Sequence, residues 1–170
     1  MNAAVRPEAN AFFDKSDNWL DHVNLSISEI NRRYFEVSER WHAEGDVWWA
    51  ILSFDAVVMT HRNVVFATTN NSYDMCVRNS GHEGLNALFA PVIDRKAPSW
   101  RAHRSARTLA LPTCEQAEVL YPAAVSTDFF RRVYVREEEH QDQVSGWLEE
   151  FGLSGVEVVW SPTKFLGKKN

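Results

Sequence analysis

An amide and a carboxylate stand two positions apart at Gln116 and Glu118, in a run that opens an apolar segment. We predict a strand over 117–121, ended by Pro122, and side chains two positions apart in a strand point to the same face. A carboxylate there can accept a hydrogen bond from a sugar hydroxyl or act as a general base, while the amide can hold a substrate. The same pattern also fits two solvated side chains on an exposed strand edge.

A second candidate is the segment 95–107, which carries five permanent positive charges and no acid in a chain of formal net charge −5. Basic residues around a lone aromatic suit single-stranded nucleic acid, because phosphates pair with Arg and Lys while a base stacks on the ring. A solvated loop neutralised by acids such as those at 137–139 fits the composition equally well. The predicted nucleic-acid contacts are Arg95, Lys96, Trp100, Arg101, Arg104 and Arg107.

Two smaller features bring polar side chains to places where ligands bind. His82 lies between two glycines near a predicted helix start, where it is accessible, although most such histidines are only surface residues. Arg32 and Arg33 fall early in another predicted helix, where they could clamp a pyrophosphate. A bound anion would relieve the unfavourable placement of a positive charge at a helix start. A solvated helix face is the other interpretation.

Several established chemistries are excluded by their missing motifs. The six His and two Cys show no metal-ligand spacing, so no metal site is predicted. The sequence contains no glycine-rich dinucleotide fingerprint, no Walker-type phosphate loop and no nucleophile elbow. Any dinucleotide binding is therefore not of the Rossmann type.

Length and composition predict an ordinary globular protein. The chain has 170 residues, of which 45% are hydrophobic and 24% charged. We predict an N-terminal arm over 1–21 and a single domain over 22–170. The first residues are too polar for a signal peptide, and the longest apolar run, 47–52, is too short to span a bilayer. We therefore expect a cytoplasmic protein without a membrane partner.

Hydrophobic periodicity places the candidate residues on a mixture of strands and helices. The fold class is α+β, with a mixed β-sheet core and a few flanking helices. An apolar strand at 47–54 is expected at the centre of the sheet, covered on both faces. Ser28 is the expected cap of the first helix, and Gly152 the expected stop of the last. The other predicted strands are 23–28, 64–66, 117–121, 132–135 and 156–160, and the predicted helices are 30–42, 84–89 and one through 144–151.

Taken in order, these segments resemble the DarT-type ADP-ribosyltransferases, toxins of bacterial toxin–antitoxin pairs that use NAD to modify bases in single-stranded DNA. The resemblance covers about residues 20–165 and rests above all on Pro112, Thr113 and the run 116–120. The other matching stretches are 23–28 with Asn31 and Arg33, 47–54, 67–70, 84–90, 132–136 and the final helix and strand.

The resemblance implies roles for individual residues. Glu118 would be the catalytic glutamate, orienting the nicotinamide ribose and helping to deprotonate the base. Arg33 (or Arg32) and His82 would complete the catalytic set, and the loop 91–114 would grip the DNA. The residues implied in NAD binding are Gln116, Arg32 and Tyr34. The implied partners are single-stranded DNA and an antitoxin protein, with NAD as a substrate and no metal.

The sequence departs from the family at its beginning. The family starts with a strand bearing a His and a Thr that bind NAD, followed by a helix, whereas residues 1–22 contain one His, His22, and no Thr. We therefore expect no counterpart to that element. Two functions stay open on the sequence: an NAD-dependent transferase acting on bases of single-stranded DNA, and a catalytically degenerate relative that binds nucleic acid or protein.

Overall fold

The computed structural model describes residues 19–45 and 47–170. These residues form two compact units: the first contains residues 19–27, Arg62–Ala124 and Asn170, and the second contains the described residues of Ser28–His61 together with Val125–Lys169. Most of the predicted arm, 1–18, lies outside the described residues, and its last part forms a 3-10 turn over Trp19–Asp21. A single domain over 22–170 stays a prediction.

The described chain contains three helices among nine mostly antiparallel strands, which confirms the predicted α+β class. The helices are α1 (Arg32–Trp41), α2 (Gly81–Ala87) and α3 (Glu139–Glu150). The strands are β1 (His22–Ser26), β2 (Ala50–Phe54), β3 (Val65–Ala67), β4 (Arg78–Ser80), β5 (Val92–Asp94), β6 (Arg101–His103), β7 (Glu118–Pro122), β8 (Phe130–Val135) and β9 (Glu157–Trp160).

The first unit is built on an antiparallel sheet with the strand order β1-β7-β3-β4. β7 is therefore an interior strand, paired with β1 on one side and with β3 on the other. Its Val119 and Leu120 are almost completely buried, as expected for an apolar strand inside a sheet. The predicted strands at 64–66 and 117–121 are confirmed to within a residue at each end.

The segment 91–114 is more ordered than its weak periodicity suggests. β5 and β6 pair as an antiparallel hairpin, with Ile93 opposite Ala102. Both side chains are buried and pack with Cys114, which forms a small core under the hairpin. The hairpin therefore anchors the segment 95–107, called the basic segment below, to the first unit.

The second unit contains a three-stranded sheet with the order β2-β8-β9. β2 and β8 are antiparallel, whereas β8 and β9 are parallel and are joined through α3. Val144 and Leu148 of α3 pack on Val133 and Val135 of β8, which forms the core of this unit. The predicted helix stop at Gly152 is confirmed, since this residue has a φ of 70°.

Two predictions in this unit were wrong. The apolar run 47–54 is not a central strand: only 50–54 pairs, and β2 lies at the edge of its sheet with Leu52 55% exposed. Ser28 does not cap α1, because it has a φ of 64° and the helix begins later. Asn31 is the cap, and its side chain accepts a hydrogen bond from the backbone N–H of Tyr34.

Within the part of the chain that the structure describes, no helix is both long enough and apolar enough to cross a membrane.

Gly84 marks a close approach between α2 and the strand before it. An added Cβ would lie 2.1 Å from the carbonyl oxygen of Asn79. We expect Gly84→Ala to lower the free energy of unfolding by about 1–3 kcal/mol, because the backbone must move to admit the methyl group. The measurement is urea denaturation followed by circular dichroism.

Gly146 in α3 provides the matched control, because an added Cβ there meets no atom within 4 Å. Gly146→Ala should raise the free energy of unfolding by roughly 0.5–1 kcal/mol, the usual gain from removing a glycine from a helix interior. Equal changes in the two variants would contradict the close approach at Gly84.

Candidate active site

Glu118 is the first residue of the interior strand β7. Its pairing places it opposite Ser26 on β1 and opposite Ala67 on β3. Ala67 is in turn paired with Arg78 on β4. Residues paired across a sheet point to the same face, so Glu118 and Arg78 share one face with the small side chains of Ser26 and Ala67. The row leaves the carboxylate beside the loop that joins β3 to β4.

The Glu118 carboxylate is held by donors from two other segments. Its Oε2 accepts a hydrogen bond from Asn24 Nδ2 at 3.3 Å and another from the backbone N–H of Asn71 at 3.0 Å. Asn24 comes from β1, two residues before Ser26, and so lies on the same face. Asn71 comes from the β3–β4 loop. A carboxylate fixed in this way is a positioned acceptor for a hydroxyl or a proton.

The β3–β4 loop, residues 68–77, is itself tightly braced. Thr68 and Val77 close its base through two hydrogen bonds, one from each backbone N–H. Arg78 then binds both ends of the turn: Nε donates to Asn71 Oδ1 at 2.6 Å, Nη2 to the Asn71 carbonyl and Nη1 to the Cys76 carbonyl at 3.2 Å. Arg78 therefore holds the residue whose backbone N–H donates to Glu118.

Gln116 does not lie in the strand that contains Glu118, although the sequence analysis predicted that the two side chains share one strand face. It lies in a turn before β7 begins, so the alternation of a strand does not relate it to Glu118. Its side chain is buried, and Nε2 donates to the Tyr73 hydroxyl at 3.3 Å. The Tyr73 ring lies 6.0 Å from that of Trp100. Gln116 thus belongs to a small polar–aromatic cluster beside the β3–β4 loop.

The positively charged residues of the segment 95–107 differ in exposure: Arg95 is buried, and the others are partly or fully exposed. Arg95 is 2% exposed, lies 4.0 Å from the buried Glu115 carboxylate and donates to Asn170, with the Trp100 ring packed over its guanidinium at 5.1 Å. Such a side chain presents no surface to a DNA phosphate, which disagrees with the contact predicted for it. Lys96 is exposed, and Arg101 is half exposed and paired with Asp94 at 2.7 Å.

Arg104 and Arg107 hold the chain that leads toward β7. Arg104 donates to the carbonyls of Thr108 and Leu109 at 3.1 and 3.2 Å and lies over the Phe89 ring. Arg107 Nε donates to the Pro112 carbonyl at 3.0 Å. Burial lowers the pKa of the Arg107 guanidinium from its ordinary value, yet an arginine remains charged at any physiological pH.

The remaining predicted site residues are on exposed helix starts. His82, in the first turn of α2, is exposed, and its Nδ1 lies 3.1 Å from Asn86 Nδ2. In the second unit, Arg33 and Tyr34 are exposed on the first turn of α1. Arg32 donates to Glu36 at 3.0 Å and to the Phe165 carbonyl at 2.6 Å, which makes it a link between α1 and the C-terminal segment.

One cleft of about 250 Å³ lies in the second unit, between Arg32, Glu39 and Arg136 and the apolar side chains of Pro162, Phe165 and Leu166. Glu118 does not line this cleft. No group of three or more His, Cys, Asp or Glu in the described chain could hold a metal ion.

Cys76 is a core thiol and does not provide a nucleophile for this site. It is 7% exposed, and burial raises its pKa above the ordinary value. A raised pKa keeps the sulfur protonated near neutral pH, and the thiol is a poor nucleophile in that form.

Sequence reasoning missed four residues that organise this site: Asn24, Asn71, Tyr73 and Arg78. Asn24 lies inside the matching stretch 23–28, yet it was given no role, whereas Asn71, Tyr73 and Arg78 lie beyond the matching stretch 67–70. Only the period-two spacing from Asn24 to Ser26 carried a usable signal. The contacts of Asn71 and Arg78 depend on the path of the loop, which spacing does not specify.

The structure places a glutamate, held by hydrogen bonds, at the start of an interior strand. Comparison with known families identifies the class of protein to which the chain belongs. The family model described as "ssDNA thymidine ADP-ribosyltransferase, DarT" matches residues 8–166. The chain therefore belongs to the DarT family, which confirms the predicted resemblance. Comparison with curated protein sequences gives no match.

Solved DarT structures share the fold at low sequence identity. Thermus sp. 2.9 DarT in complex with NAD+ is 15% identical with a TM-score of 0.59, over 86% of this chain and 73% of that one. The same protein with ADP-ribosylated ssDNA gives 11% and 0.57, over 86% and 69%. Thermosipho africanus DarTG with ADP-ribose gives 12% and 0.57, over 89% of this chain but only 37% of that one.

The buried pair of Arg95 and Glu115 separates structural from surface arginines in the basic segment. We expect Arg95→Leu to lower the free energy of unfolding by about 3 kcal/mol, because it removes a buried guanidinium that lies 4.0 Å from the buried Glu115 carboxylate. Lys96→Ala, one residue away and exposed, should change it by less than about 0.5 kcal/mol. Urea denaturation of both variants measures the difference, and equal stabilities would contradict the structural role of Arg95.

Proposed function

We propose that this chain transfers ADP-ribose from NAD to a thymidine base of single-stranded DNA, with Glu118 as the catalytic carboxylate. The observation that carries the proposal is the fixed Glu118 Oε2, held by Asn24 and by the N–H of Asn71 at the start of an interior strand. Family membership supplies the reaction class, and the base is the one that the family's description names.

In the proposed reaction, the bond between the nicotinamide nitrogen and C1 of its ribose breaks, and nicotinamide leaves with the bonding electron pair. A ring nitrogen of thymine forms the new bond to that carbon and releases its proton. Glu118 accepts a hydrogen bond from the ribose and helps to remove the proton from the base. The transition state resembles an oxocarbenium ion, so a positioned negative charge stabilises it more than it stabilises the ground state.

The proposed DNA-binding surface contains fewer residues than the sequence analysis predicted. Lys96 and Arg101 offer exposed positive charges for phosphates, and the half-buried Trp100 offers a ring for stacking. Arg104 and Arg107 would contribute mainly by shaping the loop, because their guanidinium groups bind its carbonyls. Arg95 is left out of the proposed contacts because it is buried.

Other proposed roles rest on the family resemblance alone. His82 and Arg33 are proposed for catalysis, and Gln116, Arg32 and Tyr34 for binding NAD. A toxin-like role, an antitoxin protein as a partner and a cytoplasmic location belong to the same proposal, and no metal or membrane takes part in it.

A second candidate function is a binding module without catalysis. It is favoured by the composition of residues 1–22, which contain one His, His22, and no Thr where the family has an NAD-binding strand with a His and a Thr. The two functions differ in whether ADP-ribose reaches the DNA, so one experiment distinguishes them.

The test is label transfer from radiolabelled NAD to single-stranded oligonucleotides, one set containing thymidine and a matched set without it. We expect transfer to the first set only, and a fall of at least about 10³-fold in Glu118→Ala, because a catalytic carboxylate is removed. Glu157→Ala, an exposed glutamate of the second unit, is the control and should retain full activity. No transfer together with salt-sensitive binding would favour the binding module, and transfer by Glu118→Ala at the control rate would reject the role of Glu118.

Lys96 and Arg101 should act through charge in DNA binding. We expect Lys96→Ala and Arg101→Ala each to weaken oligonucleotide binding and to reduce the slope of log K against log[salt] by roughly 0.7, the value for one lost contact on a single strand. Arg131→Ala is the matched control, because this arginine is half exposed and paired with an aspartate, as Arg101 is, but lies in the second unit and outside the segment 95–107. Fluorescence anisotropy at several salt concentrations gives the slopes, and unchanged slopes in both variants would contradict this surface.

A further inference from the structure

Arg78 holds one turn of the first unit with its whole guanidinium group. Its three guanidinium nitrogens all donate, two of them to Asn71 and one to the Cys76 carbonyl. The planar fork of an arginine fits such a set of acceptors, and the single ammonium group of a lysine does not. One side chain therefore fixes both ends of the turn 71–76.

The position of Arg78 in the sheet explains why it reaches this turn. Arg78 is opposite Ala67, and Ala67 is opposite Glu118, so the two charged side chains rise from the same face two strands apart. Neighbouring strands lie about 4.8 Å apart, which leaves about 10 Å between the two backbones. Ala67 is small and nearly inaccessible, and the space beside it is occupied by the turn that carries Asn71.

We propose that Arg78 is the positioning residue for Glu118, acting through Asn71. The guanidinium holds the Asn71 side chain and carbonyl, and this directs the N–H of Asn71 at Glu118 Oε2. The inference rests on the proposed function, since it assigns the orientation of that catalytic carboxylate to a residue that need not touch the substrate.

The consequence of losing Arg78 follows from the burial of Asn71. Asn71 is 5% exposed, so water does not replace the lost donors without a shift of the turn. A shift of the turn removes the bond from the Asn71 N–H to Glu118 Oε2 and leaves the bond from Asn24. A displacement of about 1 Å at a catalytic group can cost on the order of 10²-fold in rate.

The first arm of the experiment probes the hydrogen bond from the Asn71 N–H to Glu118 and does not require enzymatic activity. In the ¹⁵N-labelled full chain, we expect Arg78→Gln to shift the Asn71 amide resonance and to speed its hydrogen exchange by at least about tenfold. Glu118→Ala should shift the same resonance, because it removes the acceptor. Arg131→Gln is the matched control, since Arg131 also makes three side-chain bonds, to Asp55 and to the Asp128 carbonyl.

The second arm reads the consequence for catalysis. We expect Arg78→Gln to lower kcat for label transfer by roughly 10- to 100-fold while the Kd for NAD, measured by calorimetry, stays within about twofold of the unchanged chain. Arg78→Lys keeps the charge but loses the fork, so it should also lower kcat and speed exchange at Asn71. This variant decides the question if Arg78→Gln fails to fold.

The two arms separate the two proposals. An Asn71 resonance and exchange rate unchanged in both Arg78 variants would overturn the positioning role, whatever the activity. Altered exchange with kcat unchanged would also overturn it, because the brace would then not act on the reaction. If the unchanged chain transfers no label, the proposed function fails, while the amide measurements still test the brace.

Discussion

Strand β7 is hydrogen-bonded to a neighbour on each side, and the geometry of the candidate site depends on this double pairing. The register sets Ser26, Glu118, Ala67 and Arg78 in one row, so the position of the carboxylate is fixed by backbone bonds on both sides. The small side chains in the row leave room for the β3–β4 loop to approach Glu118. A shift of one residue would turn the carboxylate to the opposite face, so the core contacts of Val119 and Leu120 also protect the site.

The sequence predicted best those elements whose hydrophobic pattern is decided locally. The helix containing Val144 carries a clear helical periodicity, and the strand containing Val119 is a short apolar run ended by Pro122; the structure confirms both. The apolar run 47–54 was predicted as a central strand because such a run usually indicates a strand buried on both faces. β2 instead lies at the edge of its sheet, with a partner on one side only. The choice between Ser28 and Asn31 as the helix cap depended on the backbone path, because both residue types cap helices well.

The sequence predicted the central residue of the site, Glu118, but not the residues that hold it in place. Glu118 could be selected because its residue type, its neighbours in sequence and its family motif agree. The bonds that hold it come from Asn24 and Asn71, which lie 94 and 47 positions away, and no local pattern encodes contacts over such separations. The same limit explains Arg95: counting charges made it a surface residue, whereas the fold pairs it with Glu115 inside the first unit.

The proposed reaction requires the Glu118 carboxylate to meet the reacting end of NAD. Carbon NMR of the chain labelled at the glutamate carboxyl carbons measures this contact, with NAD added stepwise and Glu118→Ala used to assign the resonance. We expect the Glu118 resonance to shift as NAD binding saturates, while the resonance of Glu157 does not shift. Binding of NAD that leaves the Glu118 resonance unmoved would contradict the catalytic role of Glu118.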